Sequence, residues 1–259
     1  LCFTIYITHK KIFFSPENHI SVLWAKPEEN QITFRDASGQ MIKKLNGNFV
    51  CDYYPYPYFD LSSNGKWLAY GCDGHLIVLS MEDDKEVCAI EVPAELHQGD
   101  QRIIDGMIPL EIAWSPDSKW IAFNWQATHM LFPDNSVDPI SGIYLVKISD
   151  DEQKIQCGVP QKAKGAFGRQ VFAWTFSNLL AVVDRESLEF FDPNSDQKID
   201  DLALSDAGSI YNLIWSPDDQ QIAYSNWATI RIKNPLIEMD YDWENTGAPI
   251  LWIRIEPLQ

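Results

Sequence analysis

One ten-residue phrase recurs along this chain of 259 residues, and its spacing constrains the fold more than any other feature. "WSPDSKWIAF" occupies residues 114–123; "LSSNGKWLAY" at 61–70 and "WSPDDQQIAY" at 215–224 match it without a gap. "WTFSNLLAV" at 174–182 matches with one residue fewer, and "FSPENHISVL" at 14–23 is a fainter copy. The turn hydroxyls fall at Ser15, Ser62, Ser115, Thr175 and Ser216, at intervals of 41 to 60 residues. Such a period marks a unit that cannot bury its apolar face alone and stacks against copies of itself.

Each copy reads as apolar strand, polar turn, apolar strand, then a third and usually a fourth strand. The second copy shows "YPYFDLS", "KWLAYGC", "HLIVLSM" and "KEVCAIEV", separated by Asn64-Gly65, Asp73-Gly74 and Asp83-Asp84 as turn residues. The third gives "PLEIAWS", "KWIAFNW", "GIYLVKIS" and "QKIQCGV", and the fourth "VFAWTF", "NLLAVVD", "SLEFFD" and "KIDDLAL". No stretch offers a long amphipathic helix. The pattern predicts an all-β fold, a β-propeller of four-stranded antiparallel blades, with about five blades in one domain over residues 1–259. Blade boundaries are expected near 11–48, 49–93, 108–160, 170–205 and 209–259. The last blade offers two strands after its turn, "QIAYSNW" and "PILWIRIE", so a fourth is expected to be missing. Either "CFTIYIT" at the start supplies it, or the chain is a piece of a larger propeller; the lack of an initial Met favours the second.

The decapeptide Trp114-Ser115-Pro116-Asp117-Ser118-Lys119-Trp120-Ile121-Ala122-Phe123 resembles the Trp-Ser-Pro-Asp-Gly-x-x-Ile-Ala-Phe core of TolB-like, or WD-repeat-like, β-propellers. Trp215-Ser216-Pro217-Asp218 repeats it, and "GIYLVKIS" resembles the Ile-Tyr third strand of such blades. The resemblance covers nearly the whole chain and favours a periplasmic or secreted location. The eukaryotic-style WD repeat is disfavoured, because the Gly-His opening and the closing Trp-Asp are absent. The sialidase Asp-box is disfavoured too, since Ser118-Lys119-Trp120 follows Ser115-Pro116-Asp117. In physical terms the motif is a turn: Ser starts it, Pro fixes φ, and Asp accepts backbone N–H groups.

Charge bears on partners. Lys and Arg total 20 against 37 Asp and Glu, a net charge of −17 that repels a phosphate backbone and excludes nucleic acid. No run approaches the roughly 20 apolar residues of a membrane span. Cys2, Cys51, Cys72, Cys88 and Cys157 form no Cys-x-x-Cys pair, which argues against a zinc or thioredoxin-type site and suggests buried single thiols, with one bridge left open.

Function in such a scaffold sits in loops. Two long segments follow an Asn-Trp pair: "HMLFPDNSVDPIS" (129–141) after Asn124-Trp125, and "IRIKNPLIEMDYDWENTGA" (230–248) after Asn226-Trp227. Both read as inserted loops. The first carries Asp134 and Asp138 beside His129. The second gathers Asp240, Asp242 and Glu244 around Tyr241 and Trp243, a set suited to a cation or a sugar face. "CDYYPYPYFD" (51–60) places Tyr54 and Tyr56 between prolines as a rigid aromatic surface. The partner-binding candidates are therefore Trp125, Asp134, Asp138, Trp227, Asp240, Tyr241, Asp242, Trp243, Glu244, Tyr54 and Tyr56. No catalytic residue, metal ligand or cofactor is assigned, because His-Glu-x-x-His and Gly-x-Ser-x-Gly are both absent. The expected function is a non-enzymatic scaffold for a protein or peptide partner, binding through rim loops and channel mouth. Two alternatives stay open: the propeller portion of a prolyl-oligopeptidase-like peptidase, and a glycan-binding or glycan-active propeller.

Overall fold

The structure, a computed structural model, describes residues 31–35, 40–46, 58–72, 74–91, 107–127, 142–151, 154–163, 171–184, 187–195, 197–204, 210, 212–216, 219–225, 229–234 and 239–244. Every regular element among them is a β-strand. They form five antiparallel sheets, taken in turn along the chain. The first sheet pairs β1 (Gln31–Arg35) with β2 (Met41–Asn46). The second holds β3 (Phe59–Leu61), β4 (Trp67–Cys72), β5 (His75–Ser80) and β6 (Glu86–Glu91). The third holds β7 (Met107–Trp114), β8 (Trp120–Ala127), β9 (Gly142–Asp151) and β10 (Lys154–Cys157), with β11 (Gln161–Lys162) also on β9. The fourth holds β12 (Phe172–Trp174), β13 (Leu180–Asp184), β14 (Ser187–Asp192) and β15 (Gln197–Ala203). The fifth holds β16 (Asn212–Trp215), β17 (Ile222–Ser225), β18 (Thr229–Asn234) and β19 (Met239–Glu244). In each four-stranded ladder spatial order equals chain order, so the sheets are meanders and the blade pattern is present.

The described residues fall into two compact units, those up to 163 and those from 171 onward. In the first unit, β4 is apolar along its length because both of its faces are covered. Leu68, Tyr70 and Cys72 pack with Ile32, Phe34 and Leu45 of the first sheet. Ala69 belongs to the cluster that joins Leu76, Val78 and Ile90 of the second sheet to Trp114, Phe123, Trp125 and Tyr144 of the third. Burying an aliphatic or aromatic side chain in such a sandwich stabilises by about 1.5–3 kcal/mol. In the second unit Ala181 and Leu188 pack with Trp215, Ile222 and Tyr224. The outer strands are polar, as β15 shows by its exposure along most of its length.

Three blades share a further device. In β1, β5 and β14 the pairing with the following strand slips register between the fourth and fifth residues, at Phe34/Arg35, Val78/Leu79 and Phe190/Phe191. A bulge there twists the outer strand and blunts an otherwise open sheet edge.

Two expectations are corrected. The 230–248 segment is not an inserted loop: β18 and β19 supply the third and fourth strands of the fifth sheet, so that sheet is complete. The cysteines are not all single thiols. Cys88 of β6 and Cys157 of β10 form a disulfide, Cα atoms 6.3 Å apart, joining the fourth strands of the second and third sheets. Cys72 is disulfide-bonded as well.

Candidate functional site

The recurrent hydroxyls are the first candidates for chemistry, and their surroundings define what they do. Ser115 is 0% exposed; its hydroxyl donates to Asp117 Oδ1 at 2.6 Å and accepts from the Trp120 backbone N–H at 2.9 Å. Asp117 Oδ1 also accepts from the Lys119 N–H at 3.1 Å. Ser62 repeats the set, donating to Asn64 Oδ1 at 2.7 Å and accepting from the Trp67 N–H at 2.9 Å. Thr175 Oγ1 accepts from the Leu179 N–H, and Ser216 Oγ from the Gln221 N–H. The residue three places after each hydroxyl has a left-handed backbone: Gly65 at φ 70°, Ser118 at 59°, Asn178 at 66° and Asp219 at 57°. This conformation closes the tight turn, which is why Gly, Asn, Asp or a small residue stands there.

The same turns also connect neighbouring blades within each unit. Buried Asp60 accepts from the Trp114 backbone N–H at 2.8 Å, while Trp114 Nε1 donates to the Asp60 carbonyl at 3.2 Å. The Asn64 N–H donates to Ser118 Oγ at 3.1 Å. In the other unit both Asp219 carboxylate oxygens accept backbone N–H groups of the preceding turn, Phe176 at 2.6 Å and Ser177 at 2.7 Å. These are charge-assisted bonds of the stronger kind. The hydroxyls and carboxylates of the motif are therefore engaged in holding turns and joining blades.

Of the binding candidates, Trp125 is corrected: it is 0% exposed in β8, edge-on to Phe123 at 4.8 Å and to Tyr144 at 4.9 Å, and so belongs to the core. Asp240, Tyr241, Asp242, Trp243 and Glu244 lie together on β19, the last strand of its sheet. The β18–β19 register sets Arg231 opposite Asp242 and Lys233 opposite Asp240. Tyr54, Tyr56, Asp134, Asp138 and Trp227 lie outside the described residues.

Two residues of the β7–β8 pair stand out although neither is among the binding candidates. Asn124 is 0% exposed, and neither atom of its amide has a hydrogen-bond partner. Glu111 of β7 has φ 51° at a register slip against β8. Leu110, Ile112 and Trp114 alternate regularly around it, so the extra residue leaves no trace in the strand pattern.

Electrostatic shifts are few among the described residues. Burial, reinforced by the charge of Glu86, pushes the Tyr70 hydroxyl up to about 12. At the β5–β6 hairpin, hydrogen bonds from Lys85 and Ser80 hold the exposed Asp83 carboxyl down at about 2. No described group of three His, Cys, Asp or Glu is placed to hold a metal ion. No helix among the described residues is long and apolar enough to cross a membrane.

No family model matches the sequence, and no curated protein matches it. Solved structures do match. The β-propeller domain of Cps50 (Swd1) from Myceliophteria thermophila is similar at a TM-score of 0.55 and 15% identity, over 89% of this chain and 66% of that one. The chain thus spans just under two thirds of that domain's length. The likeness, with the repeated four-stranded meanders, establishes the β-propeller fold.

Proposed function

We propose that this chain is a non-enzymatic β-propeller scaffold of the TolB-like kind, a single domain over residues 1–259, that binds a protein or peptide partner through rim loops and channel mouth. One observation carries the reading. The repeated Ser, Thr and Asp side chains, which nucleophilic or acid–base chemistry would draw on, are engaged in turn closure and in bonds between blades. What remains for function is surface. The net charge of −17 favours a basic partner, since complementary potentials speed encounter and suppress wrong partners. Contact is assigned to Asp134 and Asp138 in the 129–141 segment, to Tyr54 and Tyr56, and to the acidic and aromatic residues of β19. The disulfides fit maturation in an oxidising compartment, periplasmic or secreted.

The test is affinity capture by the immobilised whole chain, compared with a variant whose residues 129–141 are replaced by a short Gly-Ser linker. Saturable capture of a protein partner, weakened at least about tenfold by the shortening, is expected, a loss of roughly 1.4 kcal/mol. Equal capture by both proteins removes this surface, and no saturable capture removes the scaffold reading.

A further inference from the structure

The register slips beside β1, β5 and β14 each leave one extra residue on the following strand, and its chemistry is the same in all three blades. Arg35 pairs with Met41 and Phe34 with Lys43, so Ile42 has no register partner. Val87 stands likewise between Glu86 and Cys88, and Ile199 between Lys198 and Asp200. All three are β-branched aliphatic residues, and a bulge leaves its extra residue out of the ladder.

Their surroundings differ. Val87 is half-buried against the cluster shared by the second and third sheets, beside the disulfide that ties β6 to β10. Ile42 is 57% exposed and Ile199 56%, and Met41 beside Ile42 is 53% exposed. A single apolar residue in water needs no explanation. Here the same blade position is covered in one copy and bare in two. The two bare bulges also differ in charge. Lys43 and Lys44 flank Ile42; Lys43 is 2.6 Å from Asp84 and donates to the Met81 carbonyl, and Lys44 is exposed. Asp200 and Asp201 follow Ile199, both exposed, with Glu189 opposite Asp201 on β14. Lys198 lies 2.8 Å from Glu189 and 3.5 Å from Asp201, and Asp200 Oδ1 accepts the Asp201 N–H at 2.8 Å. Two ammonium groups against one carboxylate leave the first patch basic. Three carboxylates against one ammonium leave the second acidic.

We propose that the β2 bulge of one chain docks on the β15 bulge of a second copy, Met41 and Ile42 covering Ile199 while Lys44 meets Asp200 and Asp201. Each patch offers the other an aliphatic contact with the opposite charge beside it. Bulges oppose extension of a sheet from one molecule to the next, so side chains make this contact and no ladder is shared. The net charge of −17 resists association at long range, but at physiological salt charges more than about 8 Å apart are largely screened and the local pairs decide. The surface is small, so association is weak and grows with concentration. This inference is independent of the partner reading.

The test is sedimentation equilibrium of the whole chain, disulfides formed, over a series of rising concentrations at about 0.15 M salt. The mean mass of wild type is expected to rise with concentration. Ile42→Ser with Lys44→Gln removes one patch, and Ile199→Ser with Asp200→Asn removes the other; each variant alone is expected to associate at least about tenfold more weakly. Mixed, the two variants are expected to recover a one-to-one complex, because each keeps the patch that the other lacks. The substituted residues are exposed, so both variants are expected to melt within about 2 °C of wild type. Should either melt lower, Lys44→Gln and Asp200→Asn alone are compared and mixed in the same way. A wild type that stays monomeric to its solubility limit overturns the proposal. So does a variant that associates as wild type does, or a mixture that stays monomeric.

Discussion

The covalent link between the second and third blades supports a quantitative prediction. Cys88 and Cys157 lie on fourth strands, where apolar contact is thinnest: β6 buries Ile90 and leaves Glu86, Ala89 and Glu91 exposed, while β10 adds Ile155. The bridge closes a loop with a sequence separation of 69. Restricting the unfolded chain over that length stabilises by about 4 kcal/mol on the chain-entropy account. In a domain of this size 1 kcal/mol shifts Tm by about 2–4 °C, so removing the bridge lowers Tm by roughly 8–16 °C. The perturbation is the double substitution Cys88→Ala with Cys157→Ala; reductant alone would also open the bridge at Cys72. Calorimetric melts of the oxidised wild type and the variant measure the shift, and peptide mapping without reduction identifies the pair. A variant melting within about 2 °C of wild type would refute the reasoning, as would a map joining Cys88 to any cysteine other than Cys157.

Three further outcomes follow from the described geometry. Trp125→Ala removes a wholly buried ring from the cluster shared by two blades and should cost about 3–5 kcal/mol in denaturant unfolding; an unchanged midpoint would return Trp125 to the surface. Gly65→Ala meets no atom within 4 Å, so its cost is the left-handed backbone at φ 70° alone, about 1–2 kcal/mol, and a neutral substitution would contradict the turn geometry. Tyr70 has a folded pKa of about 12 against an ordinary 10.0, so the hydroxyl is neutral in both states below pH 10 and its contribution is complete there. As pH rises from 10 towards 12 the unfolded chain loses this proton first, and stability falls. Tyr70→Phe should flatten that fall in denaturant midpoints measured across the window, and parallel curves for the two proteins would remove the assignment.

The turns and most strands were legible because their determinants are local. Ser115 caps its own turn through atoms two and five residues away, and "WLAYGC" announces a strand covered on both faces. The fifth blade was misread although its signal was present: Met239, Tyr241 and Trp243 alternate with Asp240, Asp242 and Glu244 at a period of two, the mark of a strand. Acidity points towards a loop, yet the segment pairs with the preceding strand along its length, from Thr229 with Glu244 to Asn234 with Met239. The cysteine pair was illegible for a different reason. Residues 69 apart meet only because blades repeat, and the one clue was that both fall in fourth strands of consecutive copies.

The candidate site illustrates the remaining gap between pattern and function. A repeat reveals what all copies share, and what they share here is engaged in architecture. The proposed scaffold function therefore draws on what one blade has and its siblings lack. Aligned on Ile121-Ala122-Phe123, Asn124 corresponds to Gly71 in the second blade, Val183 in the fourth and Ser225 in the fifth. Of the four, Asn124 carries the largest polar side chain. Among the described non-glycine residues, Glu111 alone has a left-handed backbone within a strand, visible once β7 is laid against β8. Deviations of this kind are absent from the repeat by construction, so the pattern that locates the blades passes over them.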